Sequence, residues 1–445
     1  MTTLTLPTVS VETRRPTVCA LVPAHNEEDT IAWCLEWIRD SDYPVNRVIV
    51  VADACSPHDK TARIARAYGA EVVETNHQDK AAAQNEVLFS ITEDIIVGFD
   101  GDTAPAPDCI RLMVEDLERE RLNMWGAPFR WDATCSTILP AQGDAVPLSG
   151  RTAWKRFEGA FFTGSRRYAY ALGRRWWRQA QSTVGRIQVL TGACYAFRRE
   201  AIQGIGGFPN GLITADMDAT WTLHGAGYKC GYTGAAMAYT MDPEDFRTYR
   251  SQMRRWSSGY FQNMQKHRRQ LVNWRAALVV GGAIFDMVML FLAETVILWA
   301  AILGHHPAVV DAFALWTVVH VVVCTALVSS VVGPRQALMA VGPYLVVNYY
   351  NKWLYLCGMV REWILGRRYS SWTGRQGRAT VITPMSTRRR VILANVAAAV
   401  GIPLLLVGAW QAVPLLAAAG VLGALAVWSA TFPWRGKGRR RSGEN

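Results

Sequence analysis

Two aspartates separated by one glycine follow an apolar run near residue 100. Asp100 and Asp102 come directly after Ile95–Phe99, which predicts a buried strand. The strand would hold the backbone, the glycine would let a phosphate approach closely, and the carboxylates would supply the hard oxygen ligands that Mg²⁺ or Mn²⁺ prefers. Aspartate pairs are also common in surface turns. The pair therefore predicts a metal site for a nucleotide diphosphate only if other residues support it.

Strands and helices alternate along the first hundred residues. The predicted strands are Val18–Val22, Val48–Ala52, Glu71–Glu74 and Asp94–Phe99. The predicted helices between and after them are Ala32–Arg39, Thr61–Tyr68 and Ala81–Ser90. Because the strands are continuous apolar runs, the pattern predicts an α/β fold with a parallel sheet covered on both faces. No Gly-x-Gly-x-x-Gly is present, which disfavours a dinucleotide fold for hydride transfer.

Polar residues recur where these strands end. Asn26 and Glu27 follow the first strand, Asp53 follows the second, and Asp100 and Asp102 follow the fourth. Ligands of such sheets bind beyond the carboxyl ends of the strands. We therefore expect these side chains to converge on one substrate site.

The second half of the chain is apolar enough to enter a membrane. The 445 residues leave room for two or three domains, and only 19% of them are charged, below the ~25% of typical soluble domains. Charges continue to about Gln270, and long, nearly uncharged stretches then follow: Ala276–Leu303, Ala308–Val332, Val391–Trp410 and Val413–Phe432. Each approaches the ~20 residues that cross a bilayer.

The net charge of +11 is explained by membrane orientation rather than by nucleic acid. Basic residues are concentrated in segment 333–390 and in the tail after residue 432, and such loops mark the cytoplasmic side. Four crossings then place the front domain in the cytoplasm. Segment 338–365 is apolar with a polar middle, and we predict an interfacial or re-entrant helical element there. Met1–Pro16 is polar, so no cleavable signal peptide is expected, and the nine cysteines lack metal-site spacing.

Seven ordered segments within residues 16–260 resemble the motifs of family 2 glycosyltransferases. They are Val22-Pro23-Ala24-His25-Asn26-Glu27-Glu28, Asp53-Ala54-Cys55-Ser56, Asp79-Lys80-Ala81-Ala82-Ala83-Gln84-Asn85, Asp100-Gly101-Asp102, Thr191-Gly192-Ala193-Cys194-Tyr195-Ala196-Phe197-Arg198-Arg199, Thr214-Ala215-Asp216 and Gln252-Met253-Arg254-Arg255-Trp256. The last resembles the Gln-x-x-Arg-Trp of the membrane-embedded branch, which includes cellulose, chitin, hyaluronan and poly-N-acetylglucosamine synthases. The resemblance implies a nucleotide-diphospho-sugar transferase (GT-A, Rossmann-like) domain followed by transmembrane helices. His25 and Ala215 depart from the family pattern, in which an aromatic and an acid are usual.

The resemblance implies donor-site roles for several residues. Asn26 and Glu27 belong to its first motif, and Asp53 would hydrogen-bond the uracil imide. Lys80 would face the uridine or the diphosphate, and Asp100 and Asp102 would hold the metal and the ribose-diphosphate. The structural alternatives are a turn aspartate that caps the next helix for Asp53 and a solvated lysine at a helix start for Lys80.

The resemblance implies that Asp216 is the general base of an inverting, in-line displacement. It would take the proton from the acceptor hydroxyl, with Asp218 as a neighbouring acid. The alternative is an N-cap for helix Met217–His224, and both roles can hold at once.

A predicted helix over 246–269 precedes the first crossing. Tyr249, Met253, Trp256 and Tyr260 recur at three- and four-residue steps with basic residues beside them, which favours the membrane interface. The resemblance places Gln252 and Arg255 at the substrate, with Arg255 near the diphosphate and Trp256 as a stacking floor for the acceptor sugar. Interfacial anchoring alone is the other interpretation.

The domain prediction runs as follows: a polar tail 1–15, a cytosolic GT-A domain 16–245, an amphipathic interfacial helix 246–272, a transmembrane region 273–432 and a basic tail 433–445. The aromatic and basic segment 130–188 is expected to form acceptor-side helices. Asp286, Glu294 and Asp311 lie in or near apolar spans, where they could line an acceptor path or make helix-packing contacts. Loop 372–378 loosely resembles one that covers the substrate pocket in membrane polysaccharide synthases.

The expected function is a metal-dependent transferase in the plasma (inner) membrane that uses a UDP-sugar to build a polysaccharide. UDP-N-acetylglucosamine and UDP-glucose are the expected donors, with a GDP-sugar still open, and the acceptor is a glycan or a lipid-linked sugar. A single addition to a lipid carrier or a protein is the enzymatic alternative. A non-catalytic membrane protein is the other, but it would be expected to lose the carboxylates that this chain keeps.

Overall fold

The computed structural model describes residues 14–122, 126–141, 152–302 and 307–366. Within these ranges an α/β unit comes first and a group of long helices follows it. The predicted crossings at Val391–Trp410 and Val413–Phe432, loop 372–378 and the basic tail lie outside the described residues.

The strands are β1 (Val18–Ala24), β2 (Arg47–Asp53), β3 (Glu71–Thr75), β4 (Ile95–Phe99), β5 (Thr103–Pro105), β6 (Arg121–Leu122), β7 (Pro128–Phe129), β8 (Ala133–Pro140), β9 (Cys194–Arg198) and β10 (Thr233–Thr240). The helices are α1 (Ile31–Arg39), α2 (Thr61–Ala67), α3 (Lys80–Leu88), α4 (Cys109–Glu118), α5 (Ala153–Arg175), α6 (Trp177–Thr183), α7 (Arg199–Gly204), α8 (Ala215–Gly225), α9 (Phe246–Lys266), α10 (Trp274–Ile284), α11 (Phe291–Ile302), α12 (Pro307–Val332) and α13 (Pro334–Met359). The predicted elements of the first hundred residues are all present, with small shifts at their ends.

The four predicted strands are parallel to one another, as expected, but the complete sheet is mixed. Its strand order is β3-β2-β1-β4-β9-β8-β10-β5. The first four strands are parallel, whereas β9 runs antiparallel to both β4 and β8, and β5 runs antiparallel to β10. A continuous apolar run indicates that a strand is covered on both faces, but it does not indicate whether the strand runs parallel or antiparallel to its neighbours.

Alternate residues of the central strands enter two separate apolar clusters. Val18, Ala20 and Val22 of β1 face one cluster, and Cys19 and Leu21 face the other. The two-residue period of a strand sends successive side chains to opposite faces. Both faces of the sheet are therefore covered, as the apolar runs predict.

A glycine in β4 makes room for a tyrosine of the neighbouring strand. A Cβ at Gly98 would lie 2.0 Å from the ring Cζ of Tyr195 on β9. No side chain fits there without moving the ring. Gly98 therefore lets Tyr195 lie across β4, just before the two aspartates.

The long helices pack partly on the α/β unit and partly on one another. α13 packs against α5, α9 and α12, and it continues as a π-helical segment, Val360–Ile364. Segment 338–365 is thus one long helix with its continuation, in agreement with a helical element there. The helical stretches Trp274–Trp299 and Pro307–Val332 are long and apolar enough to cross a membrane, by length and composition alone. Large apolar side chains of α12, such as Leu315 and Val322, are more than 60% exposed.

The apolar stripe of α9 faces protein. Tyr249 and Met253 pack with Phe162 of α5 and Val347 of α13, and Tyr260 packs in an adjoining buried cluster. The expectation that this stripe lies against the membrane is therefore wrong. The sequence pattern identified an apolar face but not its partner, which is formed by α5 and α13.

Two of the acids in the apolar spans are explained by helix packing. The Lys352 ammonium is buried in α13 and lies 2.7 Å from Glu294 and 3.6 Å from Asp286. An opposite charge offsets part of the cost of burying the lysine. Asp311 lies exposed near the start of α12.

Candidate active site

A cavity of about 340 Å³ opens at the edge of the sheet where β1, β2, β4 and β10 end. Every predicted site residue except Asn26 lines it. These residues are Glu27, Asp53, Lys80, Asp100, Asp102, Asp216, Gln252, Arg255 and Trp256. They come from six separate stretches of chain, and the sheet and α9 bring them together.

Asp53 presents a buried oxygen to this cavity. Its Oδ1 accepts hydrogen bonds from the Thr75 hydroxyl at 2.9 Å and the His77 backbone N–H at 2.7 Å. Its Oδ2 is buried and has no hydrogen-bond partner in the described structure. A buried acceptor without a partner is costly, and a ligand N–H would satisfy it. The side chain bonds to β3 and the residues after it, so the helix-cap alternative for Asp53 is not observed.

Asn26 does not line the cavity but hydrogen-bonds to the neighbouring loop. Its backbone is left-handed, with φ of 55°, a conformation that asparagine tolerates better than most residues. Its Oδ1 accepts a hydrogen bond from the Ser56 backbone N–H at 2.7 Å. Asn26 thus ties the loop after β1 to the loop after β2, next to Asp53.

Lys80 is turned into the cavity. It begins α3, and Asp79 caps that helix by accepting a hydrogen bond from the Ala82 N–H at 2.9 Å. The ammonium forms an ion pair with Asp100 and donates to the Gly192 carbonyl at 3.1 Å. The alternative of a solvated lysine is therefore not observed.

The donor set at Asp100 and Asp102 fits a hard divalent cation. Both carboxylates line the cavity, and Asp102 Oδ1 accepts weak hydrogen bonds from Thr103 and Thr240 at 3.3 and 3.4 Å. Among the described residues no group of three or more His, Cys, Asp or Glu is placed to hold a metal. Mg²⁺ is typically held by one or two carboxylates, with water and substrate phosphates as its other ligands. Two carboxylates therefore suffice for such an ion here.

Asp216 lies at the start of α8, with its carboxylate held by backbone N–H groups. Oδ1 accepts from the Met217 N–H at 2.9 Å, and Oδ2 accepts from the Gly192 N–H at 3.2 Å. A Cβ at Gly192 would lie only 3.1 Å from that Oδ2. Gly192 therefore contacts both Lys80 and Asp216, and it connects the donor side of the cavity with the predicted base.

The loop that leads into α8, just before Asp216, packs against α9. Thr214 Oγ1 accepts a hydrogen bond from Asn263 Nδ2 at 2.9 Å. A Cβ at Gly259 would lie 2.3 Å from the same hydroxyl oxygen, so the close approach requires glycine. The position of Asp216 thus depends on a helix more than 30 residues later in the chain.

Asp218 does not act as a neighbouring acid. Its side chain is fully buried and bonds to Lys266 Nζ and His267 Nε2, each at 2.7 Å. Asp218 is also absent from the cavity lining. Two residues along a helix is about 200°, so Asp218 points away from the side that Asp216 occupies. The expectation for Asp218 is wrong, and its role is to hold α8 against α9.

Arg255 brings a cation to the charged centre of the cavity. Burial lowers the pKa of its guanidinium, and the carboxylates of Asp216 and Asp100 oppose that shift. Arg255 therefore lies in the field of the predicted base and of one predicted metal ligand. A guanidinium can give forked hydrogen bonds to phosphate oxygens.

The cavity lining also includes residues that were not among the predicted site residues, such as Tyr170, Tyr195 and Asp242. Asp242 follows β10. β9 runs antiparallel to both β4 and β8, so β4 and β8 run in the same direction, and β10 is parallel to β8. The carboxyl ends of β4 and β10 therefore lie at the same edge of the sheet. The rule that polar residues cluster at strand ends would have found Asp242 if β10 had been predicted.

Comparisons with known proteins identify the family. Residues 16–259 match the family described as "Glycosyltransferase like family 2". "Probable glycosyltransferase YdaM" of Bacillus subtilis is 23% identical over 67% of this chain and 67% of its own. "Poly-beta-1,6-N-acetyl-D-glucosamine synthase" of Staphylococcus epidermidis is 24% identical over 54% of this chain, and the match spans 53% of that relative.

One solved structure is similar over a larger share of the chain. It is a mannosyltransferase from Pyrobaculum calidifontis in complex with GDP-Man and Mn²⁺, with 22% identity and a TM-score of 0.45. The similarity covers 75% of this chain and 88% of that one. The family match covers more than half of the sequence and includes every strand of the mixed sheet. The chain therefore belongs to the glycosyltransferase family 2-like proteins, and it is a glycosyltransferase with the GT-A type of α/β fold.

Proposed function

We propose that this chain is a membrane-bound, metal-dependent, inverting transferase that moves a sugar from a UDP-sugar to an acceptor hydroxyl in polysaccharide synthesis. The observation that carries the proposal is the single cavity in which Asp53, Lys80, Asp100, Asp102 and Asp216 converge. The lysine suits the diphosphate, and the carboxylates suit a cation and the proton of an attacking hydroxyl.

The donor would lie across the carboxyl ends of β1, β2 and β4. The unpartnered Asp53 Oδ2 suits the imide N–H of uracil, and Lys80 and Arg255 suit the diphosphate. Asp100 and Asp102 would hold Mg²⁺ or Mn²⁺. When bound, the ion would neutralise the negative charge that develops on the leaving diphosphate.

Asp216 would take the proton from the acceptor hydroxyl as its oxygen attacks the anomeric carbon. The two backbone N–H groups on its carboxylate hold that side chain in one orientation. A positioned base contributes about 10²- to 10⁴-fold to such a reaction. Trp256 and Gln252, which also line the cavity, would hold the acceptor sugar.

Polymer formation and N-acetylglucosamine as the sugar are supported by the named relative and by the Gln-x-x-Arg-Trp segment at 252–256. The matched region spans about half of that relative, so these assignments remain part of the proposal. Membrane attachment is supported by the two long apolar helical stretches and by the exposed leucine and valine side chains of α12.

The direct test is a panel of nucleotide sugars on membranes that contain the full chain, with and without Mn²⁺. We expect nucleotide release and sugar transfer from UDP-N-acetylglucosamine, lost when EDTA removes the metal. Release from a GDP-sugar alone would overturn the donor assignment. Product length on a sizing gel separates polymer from single addition, because a product extended by one sugar only would contradict polymer formation.

A further inference from the structure

Arg166 is a buried cation directly behind the acceptor end of the cavity. It lies in the middle of α5, only 4% exposed. Its guanidinium donates to the Gln252 side-chain oxygen, to the Tyr170 hydroxyl at 2.6 Å and to the Met253 sulfur at 3.7 Å. The same group lies 4.6 Å from the ring centre of Trp256 and 4.9 Å from that of Tyr249.

The charge is retained in this environment. Burial disfavours the guanidinium cation, but the neighbouring Tyr170 and Asp242 raise the pKa of Arg166 overall. Aromatic faces also attract a cation. A buried charge is costly unless its surroundings compensate it. Here the two terminal nitrogens of the guanidinium donate hydrogen bonds, whereas Nε is buried without a partner in the described structure.

Two of the Arg166 partners belong to one face of α9. Gln252 and Trp256 are four residues apart, so they lie one above the other on the helix. Both line the cavity, whereas Arg166 is not among the residues that line it. The planar guanidinium can donate to an amide and lie over an indole at once, which a lysine ammonium cannot do with the same geometry.

We propose that Arg166 is a positioning residue that sets the orientation of Gln252 and Trp256 and thereby shapes the acceptor subsite. The inference rests on the proposed function, because it takes these two side chains as the acceptor wall. Arg166 touches no substrate itself. It holds the Gln252 oxygen and one face of the Trp256 indole, while the rest of both side chains borders the cavity.

The predicted donor-site residues are held independently of Arg166, so the inference can be tested separately on donor and acceptor. Asp53, Lys80 and Asp100 have contacts of their own that do not involve Arg166. Loss of Arg166 should therefore weaken the use of acceptor far more than the binding of donor. A role limited to holding α5 on α9 would instead lower stability and affect both substrates together.

The test compares three variants of the full chain in native membranes. Arg166→Met removes the charge and the hydrogen bonds but keeps an apolar stem. Arg166→Lys keeps the charge, and Arg156→Met makes the same change as the first at an exposed position on α5. Initial rates are measured against the concentration of the donor used by the wild type and against N-acetylglucosamine oligomers as the acceptor probe. UDP affinity and the thermal midpoint are measured alongside.

We expect Arg166→Met to raise the acceptor KM about 10- to 100-fold, as for the loss of a charged hydrogen bond, with the donor KM and UDP affinity within about twofold of wild type. Arg166→Lys should fall between it and the wild type, and Arg156→Met should match the wild type. An unchanged acceptor KM in Arg166→Met, or equal losses for donor and acceptor with a lower thermal midpoint, would overturn the inference. A wild type that transfers from no nucleotide sugar would overturn the proposed function itself.

Discussion

At the scale of single residues, hydrogen-bond partners distinguish two aspartates that are only two positions apart in the sequence. Asp216 faces the cavity and is held by two backbone N–H groups. Asp218 is fully buried between Lys266 and His267. The first is placed to act on a substrate, and the second is placed to hold two helices together.

This difference gives a paired prediction. Asp216→Asn should lower sugar transfer by about 10³-fold, because the amide cannot accept the proton, while UDP affinity and thermal stability stay near wild type. Asp218→Asn removes the charge of a fully buried carboxylate that bonds to Lys266 and His267, and it should destabilise the fold by about 1.5 to 3 kcal/mol. Transfer assays, UDP titration and thermal unfolding measure the pair. Undiminished turnover in Asp216→Asn would remove the assigned base.

A buried histidine predicts a pH-dependent stability. His224 of α8 bonds to the Ile187 carbonyl at 3.0 Å, and burial, assisted by the charge of Arg186, lowers its pKa to about 3 from 6.5. The ring is neutral in the folded protein. The stability that it contributes is therefore fully present above pH 6.5 and is lost as the pH falls towards 3. The loss is about 1.4 kcal/mol per pH unit within that window.

His224→Gln is the matched variant, because its amide can still donate to the carbonyl but does not titrate. The difference in unfolding free energy between wild type and variant should shrink between pH 6.5 and 4.5. Urea titrations in detergent at several pH values measure it. Parallel stability curves would show that folding does not lower the pKa of this ring.

At the scale of secondary-structure elements, α9 connects the proposed acceptor wall with the predicted base. Its first half supplies Gln252, Arg255 and Trp256 to the cavity. Its second half holds the loop before α8 through Gly259 and Asn263. One helix therefore sets both the acceptor wall and the position of the predicted base.

Gly259→Ala tests that dependence. The new methyl group would overlap the Thr214 hydroxyl and should displace the loop, lowering the turnover number about 10- to 100-fold with little change in UDP affinity. Gly281→Ala in α10 is the control, since its Cβ would meet nothing within 4 Å. Equal activity in the two variants would show that the loop does not depend on α9.

At the scale of the whole molecule, the α/β unit and the long helices form one connected structure. α5 belongs to the first in sequence but packs against α12 and α13, and Tyr168 hydrogen-bonds Thr325 at 3.0 Å. The outer face of α12 carries large exposed apolar side chains. A protein surface of this size and composition fits lipid as its environment.

Membrane integration is therefore expected and can be measured. The chain should stay in the membrane pellet after alkaline carbonate washing and require detergent for release. Lysines at Leu315, Val318 and Val322 should lower the fraction of the chain that stays in the pellet, since each costs about 2.5 to 3.5 kcal/mol at the centre of a crossing. Leu122→Lys, which replaces an exposed leucine of the α/β unit, is the control. A triple variant that stays in the pellet as fully as the wild type would show that the chain integrates without the insertion of α12.

Much of the donor side could be predicted from the sequence, because it is local. Strand ends put Asp53, Asp100 and Asp102 at one edge, and a parallel βαβ unit allows almost no other arrangement. The order of the motifs then indicated the family. These inferences needed only the apolar runs and the residues directly after them.

The acceptor side was decided by tertiary structure, because it depends on contacts between distant segments. Three features depend on such contacts: the direction of β9 beside β4, the burial of Asp218, and the contact of Arg166 with α9. They join residues that are 48 to 103 positions apart in the chain. Periodicity identifies an apolar face but not its partner, so the stripe of α9 was assigned to lipid when α5 and α13 cover it. Which surface a helix meets is settled only when the whole chain has folded.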